Sequence, residues 1–341
     1  MRVSIVGAGA LGRVYGVRLA AQGEDVTFVV RPERVAGDGP YVIEQVNGSQ
    51  RRDTLERPRL AADIPADAEV VLITVRFDQL APAHAGAAHA GGAAPRAAGG
   101  RTVADILRGG PAVPIAVLTP LLPAQREALE GAAQRRITPA MPSVSGYADE
   151  RGVIRYWLTA IASTLLDEEG GAPAERPRLE ELARRLTEAG VPARLDRDVG
   201  AQNVATTTAF FPLIAAIDAG GGVSGLVADR DTLGAALDAT RECVALAERL
   251  GKVAPWAKLL TRLTGPFAAK AGVALVRQLF PETLRFVDVH FGPKLHEQHL
   301  AMGAAILAIG REHGVNLPAL ERLLALIEGR SGARGPAARV A

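Results

Sequence analysis

Two stretches of the chain gather residue types at spacings that suit chemistry. The first is Gly7-Ala8-Gly9-Ala10-Leu11-Gly12. It fits G-x-G-x-x-G, in which the first glycine makes a tight turn, the second lets backbone approach a pyrophosphate and the third lets a helix pack closely on a strand. The start of that helix would add amide donors and a positive dipole end, so Gly7, Gly9, Ala10, Leu11 and Gly12 are candidate cofactor-binding residues. The second stretch is LRFVDVHFGPKLHEQH at 284–299, with Asp288, His290, Lys294, His296, Glu297 and His299. Imidazole titrates near neutrality and a lysine is tuned downward in a closing cleft, so His290 or Lys294 can deliver a proton. A metal is not expected. H-E-x-H at 296–299 lacks the H-E-x-x-H spacing that sets two imidazoles one turn apart, and the five-residue spacing of His84 and His89 is incidental in an Ala/Gly tract.

The elements that must position these residues are legible around them. RVSIV at 2–6 is an apolar β-branched run, as expected of a parallel strand buried on both faces. After the glycines comes an apolar helical run (Leu11, Val14, Tyr15, Leu19) ending at Gly23, then a second strand, DVTFVV. That βαβ context is what turns a weak glycine pattern into a dinucleotide site. The second strand ends in Arg31 rather than a carboxylate. A guanidinium suits a 2′-phosphate, so NADPH/NADP is expected over NAD, with Arg34 as a possible helper. YVIEQV (41–46), AEVVLITV (68–75) and AVPIAVLTP (112–120) read as further strands of one large doubly wound sheet. Residues 82–101 form a low-complexity Ala/Gly tract without core-building side chains. RGVIRYWLTAIASTLLDE reads as a hairpin or extended pair, and PRLEELARRLTEAG (177–190) as an amphipathic helix closed by Gly190. From Asp196 the pattern is helical, in segments 200–219, 230–251, 255–277, 281–311 and 317–328. The expected domains are 1–194 (α/β, cofactor-binding), 195–330 (all-α) and a tail at 331–341.

Composition narrows the function classes. The 341 residues are 48% apolar with a net charge of +2, enough for two real cores and too balanced for a nucleic-acid or anionic-membrane surface. Cys243 is the one cysteine and falls in a helical run, so it reads as packed rather than reactive. No clean apolar run of membrane-spanning length occurs, and the chain starts straight into a strand, so a cytoplasmic protein with a small-molecule partner is expected.

Along nearly its whole length the chain resembles the ketopantoate reductase (2-dehydropantoate 2-reductase) family. The resemblance is carried by GAGALG, Arg31, LITVRFDQL at 72–80, AFFPLIAAI at 209–217 and GREHGVNLP at 310–318. It implies an α/β N-terminal Rossmann domain (doubly wound, mostly parallel sheet) followed by an all-α C-terminal domain. It also implies a 2-keto acid reduced by NADPH in the cleft between the two, and a homodimer. Val75, Arg76 and Gln79 would then lie beside the cofactor, Arg76 replacing the family's common lysine. Pro120 stands where the family has an asparagine, and a proline offers no side-chain or amide donor. Asn203 stands at the catalytic lysine, and Thr207 at an asparagine one turn later. An amide cannot give up the proton that ketone reduction needs. Asn203 and Thr207 can still orient a substrate, while His290 or Lys294 supplies the proton. Glu297 falls near a family glutamate that holds substrate hydroxyls. Phe210, Phe211, Trp157 and Trp256 either enlarge the pocket or belong to the core.

The favoured reading is an NADPH-dependent oxidoreductase acting on a small carbonyl (2-keto acid-like) or imine substrate other than ketopantoate. The alternatives are a non-redox NADP-binding protein and a cyclase or isomerase that uses the same cleft.

Overall fold

The computed structural model describes residues 1–37, 39–80, 101–158, 163–251, 265–292 and 295–333. The chain divides into two compact units, Met1–Asn203 and Val204–Ala341, with the division inside one long helix.

The first unit is built on an eight-stranded sheet in the order β12-β11-β8-β7-β6-β1-β2-β5. Its strands are β1 (Arg2–Val6), β2 (Asp25–Val29), β5 (Arg59–Ala61), β6 (Val70–Ile73), β7 (Ile115–Val117), β8 (Thr138–Met141), β11 (Thr164–Asp167) and β12 (Ala193–Asp196). All pairings are parallel except β8 with β11. β1, β2 and β6 are apolar and almost wholly buried, as a strand covered on both faces must be. The register aligns their ends: Val6 pairs with Val29 and with Ile73, and Ile73 with Val117. Gly7, Val30, Thr74 and Leu118 therefore follow one another along a single carboxyl edge. β1 is where the strand order reverses, the switch point at which doubly wound sheets bind ligands.

Helix α1 (Ala10–Ala20) buries Val14, Tyr15, Val17 and Leu19 in the core on one face of this sheet. Each such side chain contributes about 2 kcal/mol by burial. Tyr15 carries a hydroxyl into that core, where it meets the Thr164 hydroxyl at 2.7 Å. Burial pushes its pKa up to about 12 against those hydrogen bonds, so it stays neutral. A second core around Ile73, Leu107, Ile115 and Leu129 forms with α3 (Val103–Gly109) and α4 (Pro123–Ala133). Two further helices of this unit are the single turn α2 (Phe77–Leu80) and α5 (Arg176–Glu188), the latter closed by Gly190 at φ +77°.

One expectation here needs correction. Residues 41–46 do not extend the large sheet: β3 (Tyr41–Gln45) joins a four-stranded sheet, β4-β3-β10-β9, with β4 (Arg52–Leu55), β9 (Val144–Ala148) and β10 (Ile154–Leu158). Tyr41, Ile43 and Gln45 are buried while Val42 and Glu44 are half-buried, the alternation of a strand with one face in the core. Residues 151–168 form the two extended strands expected, as a pair without a hairpin, because β10 pairs with β3 and β9 while β11 pairs with β8 and β12. The Ala/Gly tract with His84 and His89 lies outside the described residues, as does Trp256.

The long helix α6 (Val199–Gly220) leads into the second unit. There follow α7 (Val223–Ala228), α8 (Arg230–Leu250), α9 (Pro266–Leu279), α10 (Pro281–Phe291), α11 (His296–Glu312) and α12 (Pro318–Ala333). The single helix expected over 281–311 is broken after Phe291. Gly292, before Pro293, is extended at ψ −167°, as the residue preceding a proline tends to be. α8 buries Leu233, Leu237, Thr240, Val244 and Ala247 at helical spacing and packs along α12. The Glu242 carboxylate on α8 accepts from the Ala319 and Leu320 amides and so caps α12. Cys243 is fully buried, and desolvation pushes its thiol up, consistent with a packing role. Among the described residues no helix is long and apolar enough to cross a membrane.

Candidate functional site

The turn after β1 gives each glycine a separate physical reason. Gly7 has φ +102°, and its amide donates to the Val29 carbonyl at 3.0 Å. A Cβ there would also lie 2.8 Å from Val75. A Cβ on Gly12 would lie 2.0 Å from the Gly7 carbonyl oxygen and 2.6 Å from the Thr74 hydroxyl, so only glycine lets α1 approach the strand this closely. A Cβ on Gly9 would meet nothing within 4 Å. No contact with a described residue therefore requires glycine at position 9. It caps α1 without a side-chain hydrogen bond, and no acidic residue lies in the first turn. Open space, unpaired helix-start amides at Ala10, Leu11 and Gly12 and an uncompensated positive dipole end form a cradle that fits a pyrophosphate.

Two supports of this turn escape a motif search. The Thr74 hydroxyl lies 2.8 Å from the Gly7 carbonyl and 3.2 Å from that of Val6, pinning the turn to the end of β6. Arg13 donates through Nε to the Ala8 carbonyl at 3.0 Å and sets its guanidinium 4.2 Å from the Tyr41 ring centroid. A threonine just after a buried strand was the available signal for the first; the second depends on β3.

The other expected cofactor residues sit along the same carboxyl edge. Arg31 follows β2, is exposed and lies 3.6 Å from the Glu33 carboxylate. Val75 is half-buried, and its carbonyl accepts from the Thr119 hydroxyl beside Pro120. Arg76 bonds both oxygens of Asp78, at 3.0 and 2.9 Å. Its amide donates to the Gln79 side-chain oxygen at 3.2 Å, and the Gln79 amide to its carbonyl at 3.0 Å. Arg76 therefore closes a local turn, and its charge already has a carboxylate partner.

Asp167 fixes the start of α6 by accepting from the Gly200 amide at 2.9 Å. Asn203 is buried, and its amide nitrogen donates to the Ala140 carbonyl of β8 at 2.9 Å. One of its two side-chain N–H donors is thus held by backbone. Thr207, one turn along, is half-buried.

The 284–299 stretch is taken apart by the fold. The Asp288 carboxylate accepts from the Val223 amide at 2.6 Å and caps α7. His290 stacks on Phe286 at 5.5 Å and meets Phe291 edge-on at 4.3 Å. Lys294 lies outside the described residues. Glu297 is exposed in the first turn of α11. His296 and His299 both turn Nδ1 to one oxygen of Asp218, at 3.1 and 3.2 Å. Asp218 and His299 are 4% and 2% exposed, and His299 Nε2 is buried without a hydrogen-bond partner. Burial pushes the Asp218 carboxyl up, but its bonds to His299 and His296 prevail and hold it below the ordinary range. Asp218 was the missed residue. Its signal is a lone carboxylate in the apolar run AFFPLIAAIDAG, where a charge must find partners. Among the described residues no group of three or more His, Cys, Asp or Glu side chains is arranged to hold a metal.

Comparison with known proteins bears on this geometry. The profile of the ketopantoate reductase PanE/ApbA family matches residues 3–93, which hold the glycine turn, Arg31 and the 72–80 segment. Residues 3–93 are thus similar in sequence to that family. No protein of curated function matches the chain by sequence. Among solved structures, 2-dehydropantoate 2-reductase from Geobacter metallireducens is 21% identical at a TM-score of 0.60, over 97% of this chain and all of that one. A PanE/ApbA family ketopantoate reductase from Ralstonia eutropha is 20% identical at a TM-score of 0.64, over 98% of this chain and 99% of that one. A D-mandelate dehydrogenase solved with NADH and anilino(oxo)acetate is 14% identical at a TM-score of 0.63, again over 98% and 99%. These likenesses establish the ketopantoate reductase fold, a Rossmann-type unit followed by a helical one.

Proposed function

We propose that the chain is an NADPH-dependent oxidoreductase that reduces a small 2-keto acid-like carbonyl or imine compound other than ketopantoate. The observation that carries this reading is the Gly7–Gly12 cradle, where only Gly9 lacks a packing reason and faces open space. Arg31, in the place where an NAD site keeps a carboxylate, supports the 2′-phosphate of NADPH. The D-mandelate dehydrogenase of this fold, solved with NADH and anilino(oxo)acetate, supports a 2-oxo acid as the substrate class.

When bound, the nicotinamide supplies a hydride. The chain must hold the cofactor, orient the carbonyl and provide a proton at its oxygen. Binding falls to the backbone amides after Gly9 and to Arg31. Orientation is assigned to Thr207 and to Asn203, whose bond to Ala140 spends only one of its two N–H donors. The proton is assigned to His290 or Lys294, and substrate hydroxyls to Glu297. The homodimer implied by the resemblance is part of this proposal, and light scattering checks it.

Asn203, an amide that cannot give up a proton, and Pro120 also favour a second reading, in which the fold binds NADP without redox turnover. Absorbance at the nicotinamide band, followed with a panel of 2-keto acids, ketones and cyclic imines, separates the two. Oxidation of NADPH by a panel member supports the reductase; tight binding with no oxidation by any supports the non-redox protein. Asn203→Lys is expected to create or raise ketopantoate reduction. No gain in initial rate would mean that Pro120 or the helical unit has diverged as well.

A further inference from the structure

The helical unit holds a cavity that neither the glycine turn nor the Asp218 group uses. Its volume is about 350 Å³, and it is walled by α6, α7, α8, α9 and Leu284 of α10. Among the described residues its one polar lining side chain is Thr240, whose hydroxyl already donates to the Ala236 carbonyl at 2.7 Å. No titratable side chain among them lines it.

The space has a cause in the sequence. Ala209 of α6, Ala236 of α8 and Ala268, Ala269 and Gly272 of α9 stand where larger apolar residues would close it. Glycine inside a helix is less favourable than alanine, so a helix-interior glycine needs a reason. Close packing gives that reason elsewhere in the unit: a Cβ on Gly303 would lie 2.4 Å from Leu324. At Gly272 a Cβ would meet nothing within 4 Å. Its missing side chain widens the cavity on an exposed stretch of α9 and serves no contact with a described residue.

The cavity is partly open, with Ala268 and Gly272 on its α9 wall exposed, so its apolar lining faces water unless a guest covers it. A dry apolar cavity of roughly 150 Å³ takes up benzene, so this one has room for more. We propose that the cavity is a binding site for a small uncharged apolar molecule, or the uncharged apolar part of one, of the size of a bicyclic aromatic or a medium-length alkyl chain. The proposal needs neither cofactor nor turnover, so it stands or falls apart from the redox reading.

The test titrates the full chain with N-phenyl-1-naphthylamine, a neutral apolar fluorophore, and displaces it with n-alkanols of increasing length. The expected result is saturable one-to-one uptake, with displacement strengthening with chain length until the cavity is filled. Gly272→Leu should weaken uptake about tenfold or more by occupying the space, while Gly272→Ala, which adds one methyl group, should retain it. If circular dichroism shows that Gly272→Leu does not fold, Ala269→Leu on the same wall takes its place. Absence of saturable uptake by the native chain, or uptake unchanged in the folded leucine variants, would overturn the proposal. So would uptake that appears only with self-association in light scattering, which would assign the space to a second copy.

Discussion

Around the turn after β1 the groups proposed to hold the cofactor are backbone, whereas the Asp218 group is made of side chains, with the histidines 78 and 81 residues from the carboxylate. In the turn, the fold fixes Gly7 and Gly12 by close contacts and leaves Gly9 open, so structure and binding divide neatly among neighbouring glycines. In the Asp218 group no such division exists: the same carboxylate ties α6 to α11 and controls the histidines. The difference teaches where a substitution can separate folding from function.

Gly12→Ala should show the largest effect. Its Cβ would fall 2.0 Å from a backbone carbonyl, so the chain should lose about 3 kcal/mol of stability and, with it, cofactor binding. Chemical denaturation and NADPH titration of the same sample check both. Asp218→Ala comes next. It leaves two imidazoles without their acceptor, at a cost of about 3 kcal/mol in urea unfolding at pH 7. The pH dependence has a definite sign. Because the folded-state value of Asp218 lies below the ordinary 3.8, its contribution is complete above that value and is lost as pH falls through the lower one. Asp218→Asn should remove that acid-range component, seen as a shallower fall in urea midpoint below pH 4. Gly9→Ala sharpens the comparison most. It should cost no more than about 1 kcal/mol of stability, as alanine does at an N-cap, while weakening NADPH about tenfold or more by adding a methyl group in the open space of the cradle. Equal loss of stability in the Gly9 and Gly12 variants would break the division. Arg31→Ala should have the smallest effect, weakening NADPH about tenfold and NADH hardly at all. Equal weakening in calorimetry would remove the 2′-phosphate assignment.

What the sequence disclosed follows the same line. The strand, turn and helix at the start of the chain are local, set by RVSIV, the glycine spacing and the apolar face of α1, and they were readable without contacts. β3 was placed in the wrong sheet because a short apolar run does not say which partner it pairs with; only its alternating burial separates it from β1 and β6. The break after Phe291 was written in Gly292-Pro293 but hidden by the helical periodicity on either side. The partners that residues 284–299 take could not be read from their proximity in sequence. The helix geometry instead sends Asp288 to the start of α7, His290 to its aromatic neighbours, and His296 and His299 to Asp218. The bond from Asn203 to the Ala140 carbonyl was not legible, because that partner lies in a strand 63 residues away.

The most direct test of the account is calorimetric titration of the purified native chain with NADPH and, separately, with NADH. The cradle and Arg31 predict saturable one-to-one binding of NADPH, with NADH about tenfold weaker or more. No saturable binding of either nucleotide would contradict the claim that the Gly7–Gly12 turn is a cofactor site.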